Sequence, residues 1–166
     1  MSNLRRSMMA AGRGSAIDWE SIAKGMINMS TPFSLPLSVI SVILDGRWAL
    51  SGEVFYGRQN LQSVEIPDNI SQLTGYCFYN CKGLTSLTLP SSITYIGTYN
   101  FSGCSNLLYI VIEATTPPNL ININAFNSTN NCPIYVPDAS VAAYKAANKW
   151  SSLASRIFPI SDMPTT

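Results

Sequence analysis

The chain has 166 residues, enough for one domain with a core of its own. Charged residues make up only 11%, the net charge is +1 and histidine is absent. These values exclude a global field for nucleic acid, a Ser-His-Asp or Cys-His triad, and the commonest neutral-pH base and metal ligand. With 46% hydrophobic residues and so few charges, the surface must be covered mainly by Ser, Thr, Asn and Tyr.

The N-terminal stretch, residues 1–32, is read as a separate segment. Arg5, Arg6 and Arg13 make it locally basic, and residues 8–11 form a short apolar patch. That patch is shorter than the roughly 7–15 apolar residues of a signal-peptide core, so no secretion leader is expected. No run approaches the about 20 apolar residues of a membrane span. Residues 17–27 can form a short helix with Ile22 and Met26 on one face and Trp19 a turn back. The segment either caps the first repeat or docks on a partner through Arg5, Arg6, Met8, Met9, Trp19 and Ile22.

From residue 33 an internal repeat takes over. Residues 61–83, LQSVEIPDNISQLTGYCFYNCKG, are followed without a gap by residues 84–106, LTSLTLPSSITYIGTYNFSGCSN, a period of 23. A third copy opens at Leu107, with two extra residues expected around Pro117 and Pro118. Leu61, Leu84 and Leu107 superpose, as do Phe55, Phe78, Phe101 and Phe126, and Cys81 with Cys104. The frame L-x-x-V-x-I alternates apolar and polar residues, which is strand periodicity, and Pro67 or Pro90 ends the strand. The return path, I-x-x-L/I-x-x-x-x-F, is expected to be short and irregular. A degenerate first copy should hold its strand at residues 33–36 and a hairpin at Asp45-Gly46. A single copy cannot bury both sides of its apolar layer, so the copies must stack into one core. The phenylalanine column should be its spine.

Residues 134–137 read as a last strand. Asp138 is a suitable N-cap for a helix in the alanine-rich sequence that follows, and residues 150–160 should seal the end. The four cysteines are Cys77, Cys81, Cys104 and Cys132. Cys77 and Cys81 are spaced like half of a zinc site, but the other half is missing. No metal or cofactor is expected. Cys81 and Cys104 should lie one rung apart as free thiols pointing in parallel into the core.

The L-x-x-V-x-I-P…F-x-x-C-x-x-L frame resembles the BspA-type leucine-rich repeats of treponemal and gut-bacterial surface proteins, over about residues 33–137. The resemblance implies a leucine-rich-repeat solenoid with one β-strand per repeat of about 23 residues and a C-terminal helical cap. The division is then residues 1–32 as docking or capping segment, 33–137 as solenoid and 138–166 as helical cap and tail. The N-terminus also resembles the openings of structural proteins of gut-bacterial phages carrying such repeats.

No catalytic set is visible. Nine carboxylates offer few acid/base pairs, and no G-x-x-x-x-G-K phosphate loop occurs. The expectation is a non-catalytic binding or structural protein. One reading is a phage virion component (decoration, fibre or tail), with protein partners in a larger assembly. The other is a bacterial adhesin, on the cell surface or secreted, that binds a host protein or glycan. Self-association fits either. The expected contact face is the strand face, where Ser63, Glu65, Ser86, Thr88, Tyr109, Val111 and Tyr135 alternate with buried residues and point outward.

Overall fold

A computed structural model describes residues 41–43, 50 and 52–164. The expectations for residues 1–32 and for the Asp45-Gly46 turn lie outside this range. Among the described residues nine strands follow in order: β1 (Ser41–Ile43), β2 (Ser63–Glu65), β3 (Gln72–Leu73), β4 (Ser86–Leu89), β5 (Tyr95–Ile96), β6 (Tyr109–Ile112), β7 (Asn119–Leu120), β8 (Ile134–Val136) and β9 (Ile157–Pro159). All ladders are parallel. They form a β1-β2 pair, a β4-β6-β8-β9 sheet and a β3-β5-β7 sheet. This is the arrangement of a coiled chain, in which each turn lays a strand beside the equivalent strand of the turn before.

The register records the repeat directly. Ser86 pairs with Tyr109 and Gln72 with Tyr95, each one period on. The first copy departs from the sequence expectation. The strand that pairs with β2 is Ser41–Ile43, with Val42 opposite Val64, so the strand does not sit at residues 33–36. Leu50 in turn bridges Leu73 in parallel.

The two extra residues of the third copy are also distributed differently from the expectation. Ile96 pairs with Leu120, so one extra residue has entered by then, at Pro117-Pro118. The second enters before Phe126, where residues Ile123–Phe126 tighten into a 3-10 turn capped by the Asn122 side chain. The return path is not irregular. Its two-residue strands each place one residue outward and one inward: Gln72/Leu73, Tyr95/Ile96 and Asn119/Leu120.

A third line of hydrogen bonds joins the coils at the turns beyond the short strands. Phe55, Phe78 and Phe101 donate their N–H to the carbonyls of Cys77, Asn100 and Ala125. At these turns Gly57, Asn80, Gly103 and Ser128 occupy one column and all have positive φ, between 54 and 80°. At Gly103 a Cβ would meet the Asn80 side-chain amide of the preceding coil, which would have to turn aside. Glycine and asparagine, which tolerate the left-handed region, fill three of these four positions, and Ser128 fills the last.

The core lies between the sheets. Its spine is an aromatic stack: Phe55 to Phe78 at 5.2 Å, Phe78 to Phe101 at 6.0 Å and Phe101 to Phe126 at 5.3 Å between ring centroids. The buried Asn100 and the buried cysteines find partners in neighbouring coils. Asn100 accepts from the Cys77 N–H and donates to the carbonyls of Leu73 and Gly97. One coil earlier, Cys77 donates its S–H to the equivalent carbonyls of Leu50 and Thr74. Cys81 and Cys104 donate to the carbonyls of Phe55 and Phe78.

All four thiols are free and buried. Burial pushes the Cys77 and Cys81 thiols up to about 12, against hydrogen bonds that act the other way, and raises Cys104 and Cys132 as well. The reactive thiolate is therefore absent near neutral pH. Iodoacetamide at pH 8 should leave the folded chain unlabelled and add four labels after unfolding in denaturant. Two labels on the unfolded chain without reductant would reveal a disulfide.

Past β8 the chain enters a 3-10 turn (Asp138–Ser140), helix α1 (Val141–Ala146) and a longer 3-10 stretch (Trp150–Arg156). Asp138 is not the helix cap. Its carboxylate accepts the Ser161 N–H at 3.1 Å, and hydrogen bonding from the Ser161 hydroxyl, then from its N–H, holds its pKa below the usual value. Ser140 stands at the N-cap without a side-chain capping bond, because its hydroxyl donates to the Thr115 carbonyl of the preceding coil. Residues 150–160 do more than close the end. Ile157–Pro159 is itself the outer strand of the four-stranded sheet.

Candidate functional site

The strand face is set by the sheet register. Thr88, Val111, Tyr135 and Phe158 stand side by side across β4, β6, β8 and β9, and Ser86 stands beside Tyr109. Ser63 and Glu65 lie on β2, the neighbour of β4. Ser63, Glu65 and Thr88 are exposed, and Ser86 and Tyr109 are half-buried. The expectation that all seven side chains stand open is corrected at two positions, since Val111 and Tyr135 are each only 7% exposed. Neither joins the main core cluster, so both are covered on the outer side of the sheet. Tyr135 is flanked by Tyr109 at 6.1 Å, nearly edge-on, and by Phe158 at 6.2 Å.

Sequence reasoning missed Phe158, which is 39% exposed and completes this aromatic row. It was hidden because residues 157–159 stand one period beyond residues 134–136, yet keep only Ile157 of the repeat frame. The face therefore grades from small polar groups on β2 and β4 to aromatic rings on β6, β8 and β9. It can offer hydroxyl hydrogen bonds at one end and ring contacts at the other. The N-terminal candidates Arg5, Arg6, Met8, Met9, Trp19 and Ile22 lie outside the described residues.

A second aromatic grouping occupies the turns that follow the short strands. Tyr56 stacks on Tyr79 at 4.9 Å and Tyr76 on Tyr99 at 5.2 Å. The two stacks are inclined to each other, with Tyr79 at 59° to Tyr76 and at 77° to Tyr99. The signal was present in the sequence, because the members of each pair are 23 residues apart. It passed unnoticed beside the phenylalanine column.

Among the described residues no cluster of three His, Cys, Asp or Glu side chains is arranged for a metal. Cys77 and Cys81, the apparent half-site, aim their sulfurs at carbonyls of different segments.

Residues 41–154 match the family described as a BspA type leucine rich repeat region, in 6 copies. No curated protein shows significant similarity to the chain. The matched stretch covers more than half of the 166 residues and contains β1 to β8. With this match over the parallel coils just described, the chain belongs to the BspA-type leucine-rich-repeat family.

Proposed function

We propose that the chain is a non-catalytic binding and structural protein that presents its repeat surface to a partner. One observation carries this reading: the strand face grades from Ser63, Glu65, Ser86 and Thr88 to the row Tyr109, Tyr135 and Phe158. Repeat proteins commonly bind through such surfaces. Membership of a repeat family and the protonated, buried thiols agree with it.

Residues 1–32 attach the protein to a larger assembly, and the coils from about residue 33 onward are the presented part. Residues 138–166 close the array, adding the last strand as well as helical turns. The assembly is a phage particle, in which the chain serves as a decoration, fibre or tail component. Support for this comes from the basic and apolar residues Arg5, Arg6, Met8, Met9, Trp19 and Ile22 on a chain with 11% charged residues, and from the resemblance of the N-terminus to phage structural proteins. The second reading is a bacterial surface adhesin for a host protein or glycan, favoured by the surface proteins that share these repeats.

Deletion of residues 1–16 tests the attachment. The truncated chain should unfold at the native temperature yet no longer co-sediment with the particle. Sedimentation at native occupancy would leave the segment as a cap alone. Recovery of the full-length chain on intact bacterial cells and not on particles would favour the adhesin.

A further inference from the structure

The turn of residues 128–131, just before β8, ends the column of hydrogen bonds between successive turns. In the earlier coils each such turn is closed by the next: Gly57, Asn80 and Gly103 donate their N–H to the carbonyls of Tyr79, Ser102 and Asn127. Ser128 stands in the same column, and no later turn supplies its acceptor. The N–H groups of Ser128, Thr129, Asn130 and Asn131, four in succession, find no acceptor among the described residues. Ser128, Asn130 and Asn131 are exposed and hold φ at 54, 53 and 52°. Successive amides in turn conformations of this kind form concavities that attract anions.

Arg156 brings a cation to the same turn. Its Nε donates to the Cys132 carbonyl at 3.0 Å, and its Nη2 donates to the Thr129 hydroxyl at 2.9 Å and to the Cys132 sulfur at 3.4 Å. The guanidinium also lies over the Phe126 ring, 5.8 Å from its centroid. All these partners are neutral. Among the described residues no carboxylate pairs with Arg156, and the sequence holds no acidic residue between Glu113 and Asp138. A half-buried charge is thus held in place at the turn without a counter-charge.

We infer that the 128–131 turn and Arg156 form a binding site for a tetrahedral oxyanion of the phosphate kind. The donor set selects this class. Nε and both hydrogens of Nη2 are engaged by the protein, so Nη1 alone is left to a ligand. The fork of two nitrogens that grips a planar carboxylate is therefore closed. A tetrahedral oxyanion can take Nη1 on one oxygen and backbone amides on the others. The inference does not depend on the strand face or on the attachment of residues 1–32.

Titration of the full chain with sodium phosphate at neutral pH, followed by two-dimensional amide NMR, tests it. Sodium chloride and sodium acetate at matched ionic strength are the comparisons. Phosphate should saturably shift the amide signals of residues 128–131 and the Arg156 Nε signal, and neither chloride nor acetate should do so. Arg156→Gln should weaken phosphate binding at least about tenfold. Thr129→Val keeps the side-chain shape and the Arg156 charge but releases one Nη2 hydrogen, so this variant should bind acetate as well. A purely structural arginine would give no such change of selectivity. The inference is overturned if phosphate gives no saturable shift in the native chain, if acetate binds the native chain as well as phosphate does, or if Arg156→Gln binds phosphate unchanged. Should Arg156→Gln fail to fold, Thr129→Val decides, and no gain of acetate binding there would overturn the inference.

Discussion

Replacing Phe101 with alanine should lower the unfolding free energy by about 3–5 kcal/mol, the range for deleting a buried aromatic side chain. Phe101 is fully buried in the middle of the spine, between Phe78 at 6.0 Å and Phe126 at 5.3 Å. Its backbone N–H also ties its coil to the next through Ala125. The cavity would open where two coils meet, so neither neighbour can collapse into it without breaking its own register. Glu65→Ala is the control. Glu65 is exposed on β2, and its loss should change stability by no more than about 0.5 kcal/mol. Urea melts of the two variants decide the matter. Equal destabilisation would show that the phenylalanine column is not the spine and that the repeat frame is out of phase.

What could be read from the sequence was what repeats. The leucine frame from Leu61 onward and the phenylalanine column recur at a fixed spacing. A side chain that must be buried between two identical neighbours leaves a periodic trace. The alternation of Ser63-Val64-Glu65 and Ser86-Leu87-Thr88 likewise marked inward and outward residues, because a strand turns over at every residue. The errors fall where the repeat is imperfect. In the first copy, the run of apolar residues around Ser41–Ile43 has no proline to mark its end, and two registers fit it equally well. The pairing of Val42 with Val64 is a long-range choice that local sequence does not encode.

The site was legible in the same measure. Ser63, Glu65, Ser86 and Thr88 follow from alternation alone. Tyr135 does not, because its burial depends on flanking rings contributed by β6 and β9. Phe158 was invisible for a related reason. The last coil keeps the frame only at Ile157, with Pro159 in place of the second apolar residue, and only pairing with β8 reveals it as a strand. The tyrosine block shows the opposite failure. Its period was in plain view, but the positive φ at Tyr76 and Tyr99 and the inclination of the two stacks are not foretold by a pair of tyrosines.

The last coil also carries the second large effect. Trp150 takes the place in the spine that phenylalanine holds in the other coils. It meets Phe126 at 5.8 Å and Tyr144 at 5.2 Å, and its indole N–H donates to the Pro118 carbonyl at 2.8 Å. The Tyr144 hydroxyl donates beside it to the Ala114 carbonyl, and Arg156 reaches back to the Cys132 carbonyl and the Thr129 hydroxyl. Trp150→Ala should therefore cost about 3–5 kcal/mol for the lost ring and leave the Pro118 carbonyl without its donor, a further penalty of about 1–3 kcal/mol if water does not replace it. Trp150→Phe should cost less, because the ring contact survives and only the hydrogen bond is lost. The distribution of the damage separates this site from Phe101. In a stack whose coils touch only their neighbours, losses at an end stay at that end. Amide exchange in Trp150→Ala should accelerate first in α1 and β9 and leave β4 protected, whereas Phe101→Ala should weaken both halves. Uniform acceleration along the whole chain in Trp150→Ala would mean that residues 138–164 are not a local closure but part of a single cooperative unit with the coils they cover.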